Sequence, residues 1–90
     1  MATTVHLHLM FRKYVDDQET VEVQGRTIGE CLGHLVRRFP DLAPLIFDRD
    51  GNLKDFVEIH LNSRNAFPRE LDKSVLQDDE IYLGVIFAGG

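Results

Sequence analysis

Cysteine and long apolar runs are the scarcest features of this sequence. Its one cysteine, Cys31, cannot form an internal disulfide or a zinc site made of several cysteines, so a reducing cytoplasm is the expected location. No run approaches the ~20 apolar residues of a membrane-spanning helix. His6, His8 and Arg12 interrupt the apolar residues near the start, which is unlike a secretory signal. We therefore expect no contact with a membrane.

Positive charge is also in short supply. Ten lysines and arginines stand against fifteen aspartates and glutamates, a net charge of −5, whereas binding to nucleic acid needs a basic surface. An acidic domain is better suited to docking on a basic protein. The sequence shows no phosphate-binding loop, no nucleophile beside a general base and no pair of catalytic carboxylates. It therefore predicts neither a catalytic site of its own nor a bound cofactor or metal ion.

Linkers, repeats and low-complexity segments are missing as well, so residues 1–90 are predicted to form one domain. Alternating apolar residues predict four strands. These cover residues 3–11, 20–24, 56–62 and 81–87, and a short edge strand is added near Phe67-Pro68. The core side of the first strand is predicted to consist of Val5, Leu7, Leu9 and Phe11. In the loop before the last strand, Leu71, Val75 and Leu76 are predicted to be core residues.

One main helix is predicted between Thr27 and Pro40. Thr27 and Glu30 form a capping-box pattern, in which the Thr27 hydroxyl accepts from the N–H of Glu30 and the Glu30 carboxylate accepts from the N–H of Thr27. Gly29 and Gly33 weaken the helix and favour close approach to a sheet. The apolar stripe that faces the core is formed by Ile28, Leu32, Leu35, Val36 and Phe39. One such helix on one sheet face predicts a two-layer α+β domain whose other sheet face is partly open.

The sequence ends in Gly89-Gly90, with only Ala88 between these glycines and the last predicted strand. Two residues without Cβ make a thin, permissive tip, which can enter a narrow tunnel of another protein and leaves its carbonyl carbon open to attack. Such a tip suits a carboxylate that another enzyme activates. Chain ends are also often frayed, and on the residues alone both interpretations stay open.

Three stretches together resemble the ubiquitin-like β-grasp sulfur carriers, and the match spans essentially the whole chain. This group includes the small subunit of molybdopterin synthase, the thiamine-pathway carrier and the carriers for cysteine or methionine synthesis. The stretches are the helix after a hairpin, the segment from Asp50-Gly51-Asn52-Leu53 through 56–62, and the closing part from Leu71 through Asp79-Glu80-Ile81 to Ala88-Gly89-Gly90. The length and the segment 53–62 are closer to the molybdopterin and cysteine carriers.

The resemblance implies a mixed four- to five-stranded β-grasp sheet on one main helix, with a flexible Gly-Gly tail. It implies that an E1-like partner enzyme adenylates the Gly90 carboxylate with ATP and that a sulfur donor displaces AMP, which leaves a thiocarboxylate. A sulfur-accepting synthase then takes the sulfur, for example in molybdopterin or cysteine biosynthesis. Gly89 and Gly90 form the reacting end. One alternative is a ubiquitin-like modifier joined to lysine through Gly90; another is an interaction domain whose glycines are incidental.

The open sheet face is predicted to dock the partner, because an exposed apolar cluster usually marks an interface. The predicted docking residues are Met10, Tyr82, Ile86, Phe87 and Ala88. Compared with the family, the turn before the last strand reads Gln77-Asp78-Asp79 in place of Asp-Gly-Asp. Asp78 is expected to accept the positive φ there. Near the end of the strand, the exposed aromatic that family members use for docking is either missing or replaced by Tyr82 or Phe87.

Three other groups have two interpretations each. We interpret His6, His8 and His60 as exposed sheet residues that can tune docking between about pH 5 and 8, rather than as metal ligands. Cys31 is interpreted as a packing residue at the edge of the helix stripe rather than a persulfide carrier. The turn Asp78-Asp79-Glu80 either contacts a basic partner or is only solvated, and both interpretations stay open.

Overall fold

A twofold alternation of apolar and polar residues builds a five-stranded sheet in the computed structural model, which describes residues 2–86. The strands are β1 (Thr3–Leu7), β2 (Thr20–Val23), β3 (Val57–Leu61), β4 (Arg64–Asn65) and β5 (Glu80–Val85). Their order across the sheet is β2-β1-β5-β3-β4. Strands β1 and β5 are parallel, and the other neighbours are antiparallel. The predicted α+β class and the mixed sheet are confirmed.

Within residues 2–86, three helices and two short 3-10 turns connect the strands. The helices are α1 (Leu9–Arg12), α2 (Ile28–Arg38) and α3 (Ala43–Ile46), and the turns cover Pro40–Leu42 and Glu70–Asp72. In the part of the chain that the structure describes, no helix has the length and apolar character needed to cross a membrane.

The main helix α2 begins as the sequence predicts, with one difference in its cap. The Thr27 hydroxyl accepts from the backbone N–H of Glu30 at 3.1 Å. The Glu30 carboxylate accepts from the N–H of Arg26 at 2.9 Å, one residue earlier than the predicted Thr27. The N–H of Ile28 donates to the carbonyl of Lys73, so the loop before β5 satisfies another group at this helix end.

The core lies between α2 and one face of the sheet. Ile28, Leu32 and Leu35 of the predicted stripe are fully buried, and Val36 and Phe39 pack against the core at its margin. From the sheet, the buried apolar residues are Val5, Leu7, Val21, Val23, Val57, Ile59, Ile81 and Leu83. The two periodicities of the sequence, 2 in the strands and 3.6 in the helix, therefore meet in one apolar layer.

The first strand is shorter than predicted. Strand β1 ends at Leu7, and the chain turns into α1, where the Nδ1 atom of His8 accepts from the N–H of Met10 at 3.0 Å. Phe11 still reaches the core, but from a helix. Leu9 is 72% exposed, so its predicted core position is wrong. A helical turn rotates neighbouring side chains by about a quarter of a circle, which breaks the alternation that the prediction assumed.

Two predictions near β4 and β5 are also corrected. The edge strand is β4 at Arg64–Asn65 and not at Phe67-Pro68. Leu76 is 74% exposed, whereas Val75 is buried and Leu71 packs at the core margin. Leu76 lies in the turn into β5, where its N–H donates to the Asp79 carboxylate, so the backbone there turns its side chain outward.

The turn before β5 has Asp78 at the position of the glycine in the Asp-Gly-Asp pattern. Asp78 has a φ of +70°, in the left-handed region where Asp is among the tolerated residues. One carboxylate oxygen of Asp79 accepts from the N–H of Leu76 at 2.7 Å, and the other accepts from the side-chain amide of Asn62 at 2.9 Å. The expected positive φ at Asp78 is confirmed, and Asp79 fixes the turn as a structural acceptor.

Candidate functional site

The open face of the sheet carries polar and aromatic residues in a continuous row. Pairing in register brings together Thr20 of β2, His6 of β1, Tyr82 of β5, His60 of β3 and Asn65 of β4. Thr20, His6, Tyr82 and His60 each stand directly beside a core residue of their strand, and Asn65 is paired in register with His60, so these side chains share the face opposite α2. The row crosses all five strands, and Tyr82 lies at its centre on β5.

Two histidine–glutamate pairs flank Tyr82. The Nε2 atom of His6 is 2.6 Å from a carboxylate oxygen of Glu80, and the Nε2 atom of His60 is 2.7 Å from a carboxylate oxygen of Glu58. The His6 ring also stacks on Tyr82, with centroids 4.1 Å apart and an angle of 11° between the planes. Because each imidazole has a partner, the centre of the open face is an ordered polar surface rather than a purely apolar patch.

The predicted docking residues fall into two groups. Met10, Tyr82 and Ile86 are 45%, 39% and 47% exposed, so all three are available to a partner. Phe87, Ala88, Gly89 and Gly90 lie outside the described residues, and their roles stay predictions. Tyr82 lines an open groove of about 620 Å³ with His6 and Glu58, whereas Ile86 lines a separate cavity of about 540 Å³ with Phe67. Tyr82 and Ile86 therefore belong to different recesses.

Exposed apolar residues gather where the two parallel strands end. Strand β1 runs into α1 with Leu9 and Met10, and β5 runs out to Ile86, whose N–H donates to the carbonyl of Phe56 at 2.7 Å. Since β1 and β5 are parallel, these ends lie at the same edge of the sheet. Sequence reasoning missed Leu9 as a surface residue. The signal was Met10, an apolar residue where the alternation required a polar one.

Phe67 is the second exposed apolar residue that the sequence did not single out. Its side chain is 73% exposed, and its N–H donates to the side-chain oxygen of Asn65 at 2.9 Å. It stands beside Ile86 in the smaller cavity, at the β4 edge of the sheet. The sequence offered only an aromatic residue in a polar connection, which predicted an edge strand.

The remaining candidates of the sequence are not brought into one site. Within residues 2–86, no group of three or more His, Cys, Asp or Glu residues is placed to hold a metal ion. Cys31 is fully buried, and this burial raises the pKa of its thiol, with a contact to Thr3 acting in the opposite direction. A buried, protonated thiol is a poor nucleophile, so the interpretation of Cys31 as a packing residue is confirmed.

Comparison with known proteins gives no match to a family model and no significant match to a curated protein sequence. Solved structures do match. A chain of the BexX/CysO complex of Amycolatopsis orientalis superimposes with a TM-score of 0.88 at 22% identity, covering 99% of this chain and 100% of that one. SAMP1 of Haloferax volcanii superimposes with a TM-score of 0.85 at 26% identity, covering 100% of both chains.

A more distant match extends the comparison to a eukaryote. Urm1 of Trypanosoma brucei has a TM-score of 0.65 at 18% identity and covers 99% of this chain and 95% of its own. All three matches cover at least 99% of this chain. By its fold, the chain is a ubiquitin-like β-grasp protein of the kind represented by CysO and SAMP1.

Proposed function

We propose that this chain is a sulfur carrier whose Gly90 carboxylate is activated by a partner enzyme and then holds sulfur as a thiocarboxylate. The proposal assigns it the role of a co-substrate in cofactor or sulfur amino-acid biosynthesis, such as that of molybdopterin or cysteine. The observation that carries it is the position of β5. This strand is hydrogen-bonded to β1 on one side and β3 on the other, and it leads directly into the last residues.

A central strand is a firm base for a reacting end. Ile81 and Leu83 anchor β5 in the core, so the fold holds the start of the tail in a fixed place. Around the end of the strand stand the exposed side chains of Met10 and Ile86, with Tyr82 on the face beside them. A partner that covers this face would receive the tail in a defined direction. Positioning of this kind is a major part of what any enzyme must supply to a substrate.

The chemistry has two balanced steps, both carried out on partner enzymes. A Gly90 carboxylate oxygen attacks the α-phosphate of ATP and releases pyrophosphate, which gives an acyl adenylate. A sulfide-level donor then attacks the carbonyl carbon and expels AMP, which leaves the thiocarboxylate. A carboxylate is a poor acceptor until its oxygen becomes a good leaving group, and ATP supplies that change. An E1-like adenylating enzyme and a sulfur-accepting synthase are the partners proposed.

The experiment uses the protein purified from its own cells, whose intact mass first shows whether the chain ends at Gly90. It is then incubated with ATP, sulfide and the E1-like adenylating enzyme of the same organism. We expect a mass gain equal to the difference between sulfur and oxygen. The matched control carries one alanine after Gly90 and should gain nothing while unfolding at the same temperature, since an added terminal residue packs against little. Equal gains in both proteins, or none in either, would reject the carrier function.

A second candidate function is a protein modifier joined to lysine through Gly90. The observation that favours it is the similarity to SAMP1, a small archaeal modifier protein. The test is a search for branched peptides in cell lysates. Chymotrypsin suits this chain, because cleavage after Phe87 would leave Ala88-Gly89-Gly90 on the modified lysine. Branched peptides that disappear when Gly90 is deleted would support the modifier, and their absence from a lysate rich in the protein would reject it.

A further inference from the structure

Gly84 produces a depression in the middle of the open face. It follows Tyr82 on the same side of β5 and is paired in register with Glu58 of β3. On its other side lies His8, whose N–H donates to the carbonyl of Leu83 at 2.9 Å. Because Gly84 has no side chain, these neighbours surround an empty position. The resulting groove of about 620 Å³, called the Gly84 groove, is walled by His6, His8, Glu58, His60 and Tyr82.

The backbone does not require glycine at this position. A Cβ built on Gly84 would meet its nearest atom, the carbonyl oxygen of Glu58, at 3.9 Å, which is an ordinary contact distance. The positive-φ residues of the described chain do not include Gly84. Glycine in a strand interior weakens the strand and often marks a site where another group approaches closely. The consequence of Gly84 is therefore the space above it rather than a turn or a bulge.

The charge of the groove indicates which class of ligand it can bind. Glu58 is held in place, since one of its carboxylate oxygens is 2.7 Å from His60 and 3.3 Å from the side-chain amide of Asn65. Arg12 and Glu19 also line the groove and are 3.5 Å apart, and Glu80 lies next to His6, so three glutamates stand against one arginine on this face. The face is therefore acidic in a chain with a net charge of −5. An anionic ligand would be repelled. An aliphatic ligand would remove water from the Glu58 carboxylate without offering it a hydrogen bond in return.

An aromatic surface stands beside these carboxylates. The His6 ring covers one face of the Tyr82 ring, and Tyr82 remains 39% exposed. A guanidinium group matches both features, because it pairs with a carboxylate through two N–H groups and lies flat against an aromatic ring. A lysine ammonium pairs with a carboxylate as a point charge but has no planar face to stack.

We propose that the Gly84 groove receives an arginine side chain of the activating partner, with its guanidinium paired to Glu58 and stacked on Tyr82. The identity of the partner rests on the proposed carrier function, whereas the chemistry of the groove does not. The arginine would set the rotation of the carrier on its partner. The groove therefore adds an electrostatic contact to the exposed apolar residues at the end of β5.

The first test uses a small probe and no partner. N-acetyl-arginine methylamide is titrated into the labelled protein while backbone amide signals are followed by NMR, with N-acetyl-lysine methylamide as the comparison ligand. We expect saturable shifts centred on Gly84, Glu58 and Tyr82, larger for arginine than for lysine. The variant Gly84→Val should lose them, since it places a branched side chain of a good strand former in the empty position beside Glu58 and Tyr82 and leaves the core untouched. Shifts that spread over other acidic surfaces, no groove shifts, or equal shifts in the variant would overturn the proposal.

The second test measures ATP–pyrophosphate exchange by the E1-like enzyme with this chain as substrate. We expect Gly84→Val and Glu58→Gln to raise KM by about tenfold or more with a much smaller change in kcat, as for the loss of an interface arginine contact. Thermal unfolding of both variants checks that they are folded. If wild type is not adenylated, the carrier function fails and the NMR result still decides the groove. If wild type is adenylated and both variants keep its KM, the groove proposal fails alone.

Discussion

The two faces of the sheet use the same strands for opposite purposes. In β1, β3 and β5, residues such as Val5, Ile59 and Leu83 are buried against α2, while their direct neighbours point to the open side. On that side, His6 and His60 contact carboxylates and Tyr82 stacks on an imidazole. One residue of displacement along a strand thus separates the side chains that stabilise the fold from those that meet a partner. The two properties should respond to different substitutions.

The largest effect is expected for a core truncation on the helix side. Leu32 is fully buried in the α2 stripe, and Leu32→Ala should lower the free energy of unfolding by about 3 kcal/mol, through lost burial and the cavity left behind. The matched control is His6→Thr on the open side, which keeps a strand-forming residue and should cost less than about 1 kcal/mol. Urea unfolding of the three proteins measures both values.

The same pair of variants separates the faces by function. At a temperature where both remain folded, Leu32→Ala should be adenylated with nearly the wild-type KM, whereas His6→Thr removes the ring that supports Tyr82 and should raise KM. If Leu32→Ala raised KM and His6→Thr did not, the assignment of stability to the helix side and of partner binding to the open side would be wrong.

The sequence predicted the helix side well because burial leaves a regular signature. The α2 stripe, the capping residue Thr27 and the core residues of β2, β3 and β5 follow the helix and strand periods over several turns or pairs. The positive φ at Asp78 was also predicted, since this aspartate takes the place of the glycine in the Asp-Gly-Asp pattern and Asp tolerates that region. Each of these features follows from neighbouring residues in the sequence, and the tertiary structure is consistent with it.

The open side was less predictable because its side chains are positioned by contacts with residues that are distant in the chain. Nothing in the sequence links His6 with Glu80, or Asn62 with Asp79, before the strand order is known. The prediction of where β1 ends was wrong for a related reason. Leu9 fits a strand pattern as well as a helical turn, and the choice depends on the cap at His8 and on the burial of Phe11. The groove at Gly84 likewise exists only because β3 and β1 stand on either side.

An intermediate effect should show how far the buried side of α2 extends. Gly29 and Gly33 lie one turn apart in the same helix, but a Cβ on Gly29 would come within 2.9 Å of the Leu71 carbonyl oxygen, whereas one on Gly33 would meet only Arg37 at 3.9 Å. Gly33→Ala should therefore raise the free energy of unfolding by up to about 1 kcal/mol. Gly29→Ala should lower it, because the 3-10 turn at Glu70–Asp72 must move away.

Chemical denaturation of both alanine variants provides the measurement, and each serves as the control of the other because they make the same change in the same helix. The predicted close approach of Gly29 and Gly33 to a sheet is wrong, because Gly29 lies against the turn at Leu71 and a Cβ on Gly33 would meet only Arg37. Equal stabilisation by both substitutions would mean that this turn yields without cost and that the closed side of the helix ends before Gly29.

The last effect, which is absent at neutral pH, tests whether the helix side excludes water around Cys31. Cys31 is buried beside Thr3, and burial raises the pKa of its thiol above the ordinary value of 9.0. The unfolded chain therefore loses this proton first as pH rises, so the contribution of the neutral thiol is complete below pH 9.0 and is lost above it. The free energy of unfolding of the wild type should fall faster with pH than that of Cys31→Ala, by at most about 1.4 kcal/mol per pH unit.

Urea unfolding of both proteins between about pH 7 and pH 10.5 measures this difference in slope. The titration of the lysines and tyrosines, which both proteins share, cancels in the difference. Parallel slopes would mean that the thiol is as well solvated in the folded protein as in the unfolded chain, and that the boundary between the dry and the open side lies deeper than Cys31.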